Sequence, residues 1–130
     1  MSEFSNALSV TASALKAQAT RLRHVSENLS NADTPGYRRK LVAFESVRNL
    51  STGAETVVPG RVQLDQTDLR QVYDPSHPLA DANGYFEASN VDLLIELADA
   101  REAQRSYEAN LKMFDQTRQM SSSLMDLLRK

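Results

Sequence analysis

His77 sits in "YDPSHPLAD", with Asp74 three residues before it and Asp81 four after. An imidazole between two carboxylates could hold a divalent metal or relay a proton in a small enzyme. Pro75 and Pro78 give a simpler account. They turn the chain twice, and an aspartate ahead of such a turn accepts a hydrogen bond from the backbone just beyond it. We therefore expect linked turns here, with no metal and no cofactor. The other histidine, His24, lies beside a leucine row at helical spacing and reads as a boundary residue. Serines are plentiful, but none stands in a nucleophile-elbow context, and no phosphate-cradling glycine pattern occurs. The absence of cysteine excludes disulfides, thiolate zinc sites and cysteine nucleophiles.

A second cluster, Arg38-Arg39-Lys40, could bind phosphate. The net charge is −2, so the basic surplus of a nucleic-acid binder is missing. Pairing with carboxylates of a neighbouring chain, or simple solvation, fits these residues better. Composition sets the remaining limits. At 130 residues the chain makes one modest domain. With 41% hydrophobic and 25% charged residues it is neither disordered nor a membrane protein. Aromatics at 6%, with no Trp, are scarce for an enzyme pocket. No apolar run reaches the roughly 18 residues of a membrane helix. The N-terminus lacks the basic and apolar regions of a Sec signal, so the expectation is a cytoplasmic protein or export by a route that removes nothing.

Three parts must position these residues. From Phe4 to Leu29 there is no Gly or Pro. Leu8, Leu15, Leu22 and Leu29 recur every seventh residue, with Phe4, Thr11, Gln18 and Val25 as companions. That is a heptad seam, and it predicts a helix of about 39 Å. From Tyr37 to Ala88 the signals are short strands and turns: Pro59-Gly60 between two β-branched runs, then Asp74-Pro75, His77-Pro78 and Asn83-Gly84. From Ser89 onward a capping box, Ser89 with Asp92, opens a second helix of about 57 Å. Its proposed seam follows Leu93, Leu97, Ala100, Gln104, Tyr107, Leu111, Phe114, Arg118, Ser121, Met125 and Leu128.

The predicted fold is α+β, mainly α. Long terminal helices pair antiparallel as a coiled-coil-like unit, residues 1–36 with 89–130, around a β-rich insert, residues 37–88. Two helices bury one seam. Leu94, Ile95, Leu124 and Leu127 lie off it, and exposed they would form a strip that calls for further copies or partner chains.

"NLSNADTPGYRRK" is the joint between the first helix and the insert. Asn31 tolerates the left-handed conformation that ends a helix. Thr34 is pushed into extended backbone by the proline after it. Pro35-Gly36 fits the centre of a type II turn, with Tyr37 beyond it.

"SENLSNADTPGYRRK" resembles the signature of the axial proteins of the bacterial flagellum, the rod, hook and hook–filament junction proteins. "VYDPSHPLADANGYFEASNVDLLIELADAREAQRSYEAN" is very similar to the corresponding region of one proximal-rod member. "AREAQRSYEANLKMFDQTRQM" resembles the C-terminal helix of rod and hook proteins, whose Arg-x-Tyr-x-Ala-Asn core falls here on Arg105, Tyr107, Ala109 and Asn110. The resemblance covers nearly the whole chain. It implies a structural subunit, not an enzyme, that polymerises through its terminal helices into a helical tube around an export channel. It implies other copies, other rod proteins and the flagellar type III export apparatus as partners, with no nucleic acid and no membrane insertion. Phe4 and Leu8 resemble the Phe-x-x-x-apolar export-gate motif. Expected packing residues are Leu8, Leu15, Leu22, Val25, Leu29, Tyr107, Leu111, Phe114, Leu124 and Leu128. Expected polar contacts between subunits are Arg38, Arg39, Lys40, Arg105 and Asn110. The alternative is a helical adaptor whose terminal hairpin binds one partner.

Overall fold

The computed structural model describes residues 2–129. Met1 and Lys130, the outer limits of the predicted helical unit, lie outside the described residues. The order is α1 (Ser2–Ser30), β1 (Lys40–Arg48), β2 (Glu55–Leu64), β3 (Gln71–Tyr73), β4 (Tyr85–Glu87) and α2 (Leu93–Arg129). The fold is the expected α+β one, two long helices with a strand insert between them. Asn28 meets Glu96 and Arg21 meets Asp99, while Phe4 shares a groove with Met120 and Leu127, so the helices run antiparallel.

α1 forms because an Ala- and Leu-rich run has neither Gly nor Pro to interrupt it. It ends differently from expectation. Asn31 is not left-handed, since among the described residues no residue other than glycine has positive φ. Its side-chain Nδ2 donates instead to the Glu27 carbonyl at 2.9 Å, the same carbonyl that accepts the Asn31 N–H at 3.1 Å. The turn that follows is type II. The Tyr37 N–H donates to the Thr34 carbonyl at 3.2 Å, and Gly36 has φ +75°.

α2 is capped by Asp92 rather than Ser89. The Leu94 N–H donates to Asp92 Oδ1 at 3.0 Å, the contact of an N-cap. Ser89 acts across the fold instead. Its hydroxyl donates to the Ala32 carbonyl and ties the start of α2 to the joint.

The insert is two antiparallel hairpins, β1–β2 and β3–β4. Pro59-Gly60 does not turn the chain; both residues lie inside β2. They sit at a bulge, where the pairing shifts between Val42 and Phe44. A Cβ at position 60 would come within 2.9 Å of the Ala43 carbonyl, so only glycine allows this approach. The hairpin turns instead between Asn49 and Ala54, with Gly53 at φ +74°. From the joint, β1–β2 runs back along α1. The Val57 N–H donates to Ser13 Oγ at 3.0 Å, and Asn6 near the N-terminus reaches the Thr52 carbonyl at 3.4 Å.

α1 is thus flanked by α2 on one side and the hairpin on another. This shifts the buried line part of the way off the expected seam, of which Thr11 and Val25 stay buried. Thr11, Ala17, His24, Val25 and Asn28 are buried, while Leu8, Leu15, Leu22 and Leu29 are half-buried at the seam's edge. On α2, the series Ala100, Tyr107, Phe114 and Ser121 is half-buried. The other series is displaced by one residue, from Leu97, Gln104, Leu111 and Arg118 to Glu96, Ala103, Asn110 and Thr117. Small and polar side chains fill much of the seam, Val25, Tyr107 and Phe114 add larger ones, and Leu97 and Leu111 are left outside it.

Candidate functional site

Asn28, in the last turn of α1, is 1% exposed, and all four hydrogen-bonding positions of its amide are filled. Its Oδ1 accepts from the Tyr37 hydroxyl and from the Lys40 N–H, both at 2.8 Å. Its Nδ2 donates to the Lys40 carbonyl at 3.1 Å and to Glu96 Oε2 at 3.3 Å. One side chain therefore holds the joint, the first residue of β1 and the first turn of α2.

Glu96 is fully buried. Its second oxygen accepts from Arg39 Nε at 2.6 Å, a short charge-assisted bond. The same guanidinium reaches Asp65 at 3.3 Å and Asp99 at 3.4 Å. Burial alone would lower the Arg39 pKa, but the hydrogen bond and charge of Glu96 outweigh it and raise it. Asp99 also meets Arg21 at 3.4 Å. Asn90 closes the node, accepting the Arg39 N–H at 2.7 Å.

Each residue of the basic run at the joint has a partner within the chain. Arg38 donates to the carbonyls of Asp65 and Thr67 at 3.1 and 3.0 Å. Arg39 holds three carboxylates. Lys40 meets Glu27 at 2.6 Å. That hydrogen bond holds the Glu27 carboxyl below its ordinary pKa and raises that of Lys40. The backbone N–H of Thr67 holds Asp65 low. Burial raises that of the Tyr37 hydroxyl. A cleft of about 300 Å³ opens beside this node, walled by Val25, Leu41, Val42 and Phe44. His24 lines it, buried, with Nδ1 unpaired and 3.9 Å from Glu27.

The opposite end of the helix pair is built differently. Beyond Ser121 every described residue of α2 is exposed, and Leu127 and Leu128 are 67% and 72% exposed. Leu111 and Leu124 are exposed too. Phe4, Met120, Leu124 and Leu127 line an apolar groove of about 530 Å³. Apolar side chains are also bare at the node end, where the first turn of α2 exposes Leu93, Leu94, Ile95 and Leu97, with Leu94 at 79%. Arg105 is exposed, and Asn110 Nδ2 donates to the Ser106 carbonyl of its own helix at 2.8 Å.

The histidine–carboxylate set of the insert forms turns. Asp74 Oδ1 accepts the Ser76 N–H and hydroxyl at 3.2 and 2.7 Å. Asp81 Oδ1 accepts the N–H groups of Asn83 and Tyr85. His77 Nδ1 accepts the Leu79 N–H at 3.1 Å, and its ring stacks on Phe86 at 3.9 Å. Among the described residues no cluster of three or more His, Asp or Glu could hold a metal ion.

Asn28 and Glu96 are the residues that reading the sequence missed. Both are polar positions on helices whose leucine rows draw the eye. The usable signal was the series Glu96, Ala103, Asn110 and Thr117, a seven-residue repeat one step from the leucines.

A helix pair held by a polar node at one end, with large apolar side chains uncovered at both, presents the kind of surface that marks a protein interaction site. The comparisons agree. The family described as "Flagella basal body rod protein" matches residues 8–38, and that described as "Flagellar basal body rod FlgEFG protein C-terminal" matches residues 82–127. The flagellar basal-body rod protein FlgC of Agrobacterium fabrum is 46% identical, over 99% of this chain and 98% of its own. Those of Aquifex aeolicus and Salmonella typhimurium are 36% and 35% identical, over 92% and 94% of this chain and 93% and 96% of theirs. The chain belongs to the flagellar basal-body rod protein FlgC family.

Proposed function

We propose that the chain is a structural, non-enzymatic subunit of the flagellar basal-body rod, in its proximal part. The terminal helices, residues 1–36 with 89–130, form an inner helical unit, and residues 37–88 form the insert outside it. Helices of successive subunits pack into a tube that surrounds the export channel and transmits motor torque. Its partners are other copies and other rod proteins; nucleic acid and membrane insertion play no part. The observation that carries this reading is the apolar cover missing from α2, with Leu94, Leu127 and Leu128 each more than 60% exposed, in a chain of this family.

The subunit leaves the cytoplasm unfolded through the flagellar type III export apparatus, without a cleaved signal, and works in the periplasmic space. Phe4 and Leu8 serve as the export motif. Both are half-buried in the folded chain, so the motif is fully open to a receptor before α1 packs.

Electron cryo-microscopy of basal bodies, with and without this chain, tests the reading. The expected result is density for the chain in a helical array around a lumen, lost on deletion. A discrete complex with one partner, outside any such array, would support the adaptor instead.

A further inference from the structure

We propose that Glu96, held by Arg39 and Asn28, sets the register of the α1–α2 pair. The stretch of the seam between the node and Tyr107 is smooth. Thr11, Ala14 and Ala17 on α1, with Ala100, Ala103 and Ser106 on α2, are small side chains with no deep knobs. Such a surface tolerates sliding by a turn, because few interlocking contacts are lost. Glu96 does not tolerate it. It is the one charged residue with no exposed surface among the described residues, and its two oxygens have two specific partners at 2.6 and 3.3 Å. A slip of one turn would take Glu96 off Asn28 and off its short bond to Arg39 Nε, and Asp99 off its present place against Arg21 and Arg39, so the whole node has to be re-paired at once. A single buried polar group fixing the alignment of paired helices is a known use of such groups.

Ser89 and Asn90 tie the start of α2 to the joint, so the available error is a slip of about one turn, ~5.4 Å. Arg39 and Asn28 are positioning residues: they act through Glu96. The consequence concerns assembly, and to that extent rests on the rod reading. The register decides how Leu8, Leu15 and Leu22 on α1 align with Leu111 and Leu124 on α2, and so which composite face a neighbouring subunit meets.

The chain has no cysteine, so one introduced pair reports the register. Ala17 and Ala103 are both fully buried, and each lies one turn beyond the Arg21–Asp99 contact. A disulfide needs Cα atoms within roughly 4.4–6.8 Å, a window narrower than a one-turn slip. Basal bodies would carry Ala17→Cys with Ala103→Cys, in the native background and with Arg39→Met plus Glu96→Leu. That double change replaces the ion pair by apolar groups of similar size, which often keeps stability. We expect efficient intrachain cross-linking in the native background and in the conservative variant Glu96→Gln. In the apolar variant we expect at least a fivefold drop, with gain for Ala17→Cys paired with Ala100→Cys or Ser106→Cys. If the apolar variant does not enter basal bodies, the same pairs are read in the purified full-length subunit. Undiminished Ala17–Ala103 cross-linking in the apolar variant would overturn the proposal. So would its absence in the native background; helical arrays still seen by imaging would then leave the rod reading standing.

Discussion

The two ends of the helix pair solve opposite problems. At the joint end, polar groups are buried and paired: Asn28 fills every hydrogen-bonding position, and Glu96 has both Arg39 and Asn28. At the far end, large apolar side chains lie open: Leu124, Met125, Leu127 and Leu128. The joint end would lose stability if any member left, because a buried unpaired charge or amide is costly. The far end gains nothing from being alone, because its apolar surface stays in water. The polar groups of the joint end are satisfied within the chain, although Leu94 beside them is bare, while the far end has no such node and leaves its apolar side chains open.

The largest expected effect comes from breaking the joint end. Arg39→Ala leaves the buried Glu96 carboxylate without its cation and should destabilise the folded subunit by about 3–5 kcal/mol. Urea unfolding followed by circular dichroism measures it. A loss under about 1 kcal/mol would show that the node contributes little.

Pro35-Gly36→Ala-Ala comes next. Gly36 sits at φ +75° with nothing within 4 Å of where a Cβ would stand, so the penalty is backbone strain alone. Roughly 1–2 kcal/mol is expected from a left-handed alanine. Assembly and motility should fall more than export, as read by swarm diameter against secreted subunit. Normal rods from this variant would make the turn dispensable.

The smallest effect is electrostatic. The folded-state pKa of Glu27 lies below its ordinary 4.5, through the hydrogen bond from Lys40. Its contribution to stability is therefore present above that ordinary value and lost as pH falls through the lowered one. Lys40 lies above its ordinary 10.5, so its contribution holds below that value and fades as pH rises past it. Melting curves of Glu27→Gln and the native chain should differ at neutral pH and converge in acid. A difference that grows on acidification would contradict the pairing.

Much of this fold is legible in the sequence because its signals are local. Absence of Gly and Pro marks both helices, and Thr34-Pro35-Gly36-Tyr37 forms its turn through a bond between residues three apart. The paired turns around His77 are local as well. The errors have physical causes. Pro59-Gly60 carries the composition of a turn, yet a bulge uses the same freedom from side-chain bulk. The leucine heptads suggest a leucine seam, but a hairpin along α1 rotates that helix and moves its buried line onto Ala17, His24 and Asn28. The node itself is illegible locally, since Asn28 and Glu96 are 68 residues apart. Nothing near either residue announces the other.

Amide hydrogen exchange, compared between the free subunit and assembled rods, tests the contrast most directly. If neighbours finish the far end, amides from Leu111 to Leu128 exchange quickly in the free subunit and slowly in the rod. Amides around Asn28, Arg39 and Glu96 are then the slower set in the free chain. Equal protection of both ends in the free subunit, unchanged on assembly, would contradict it.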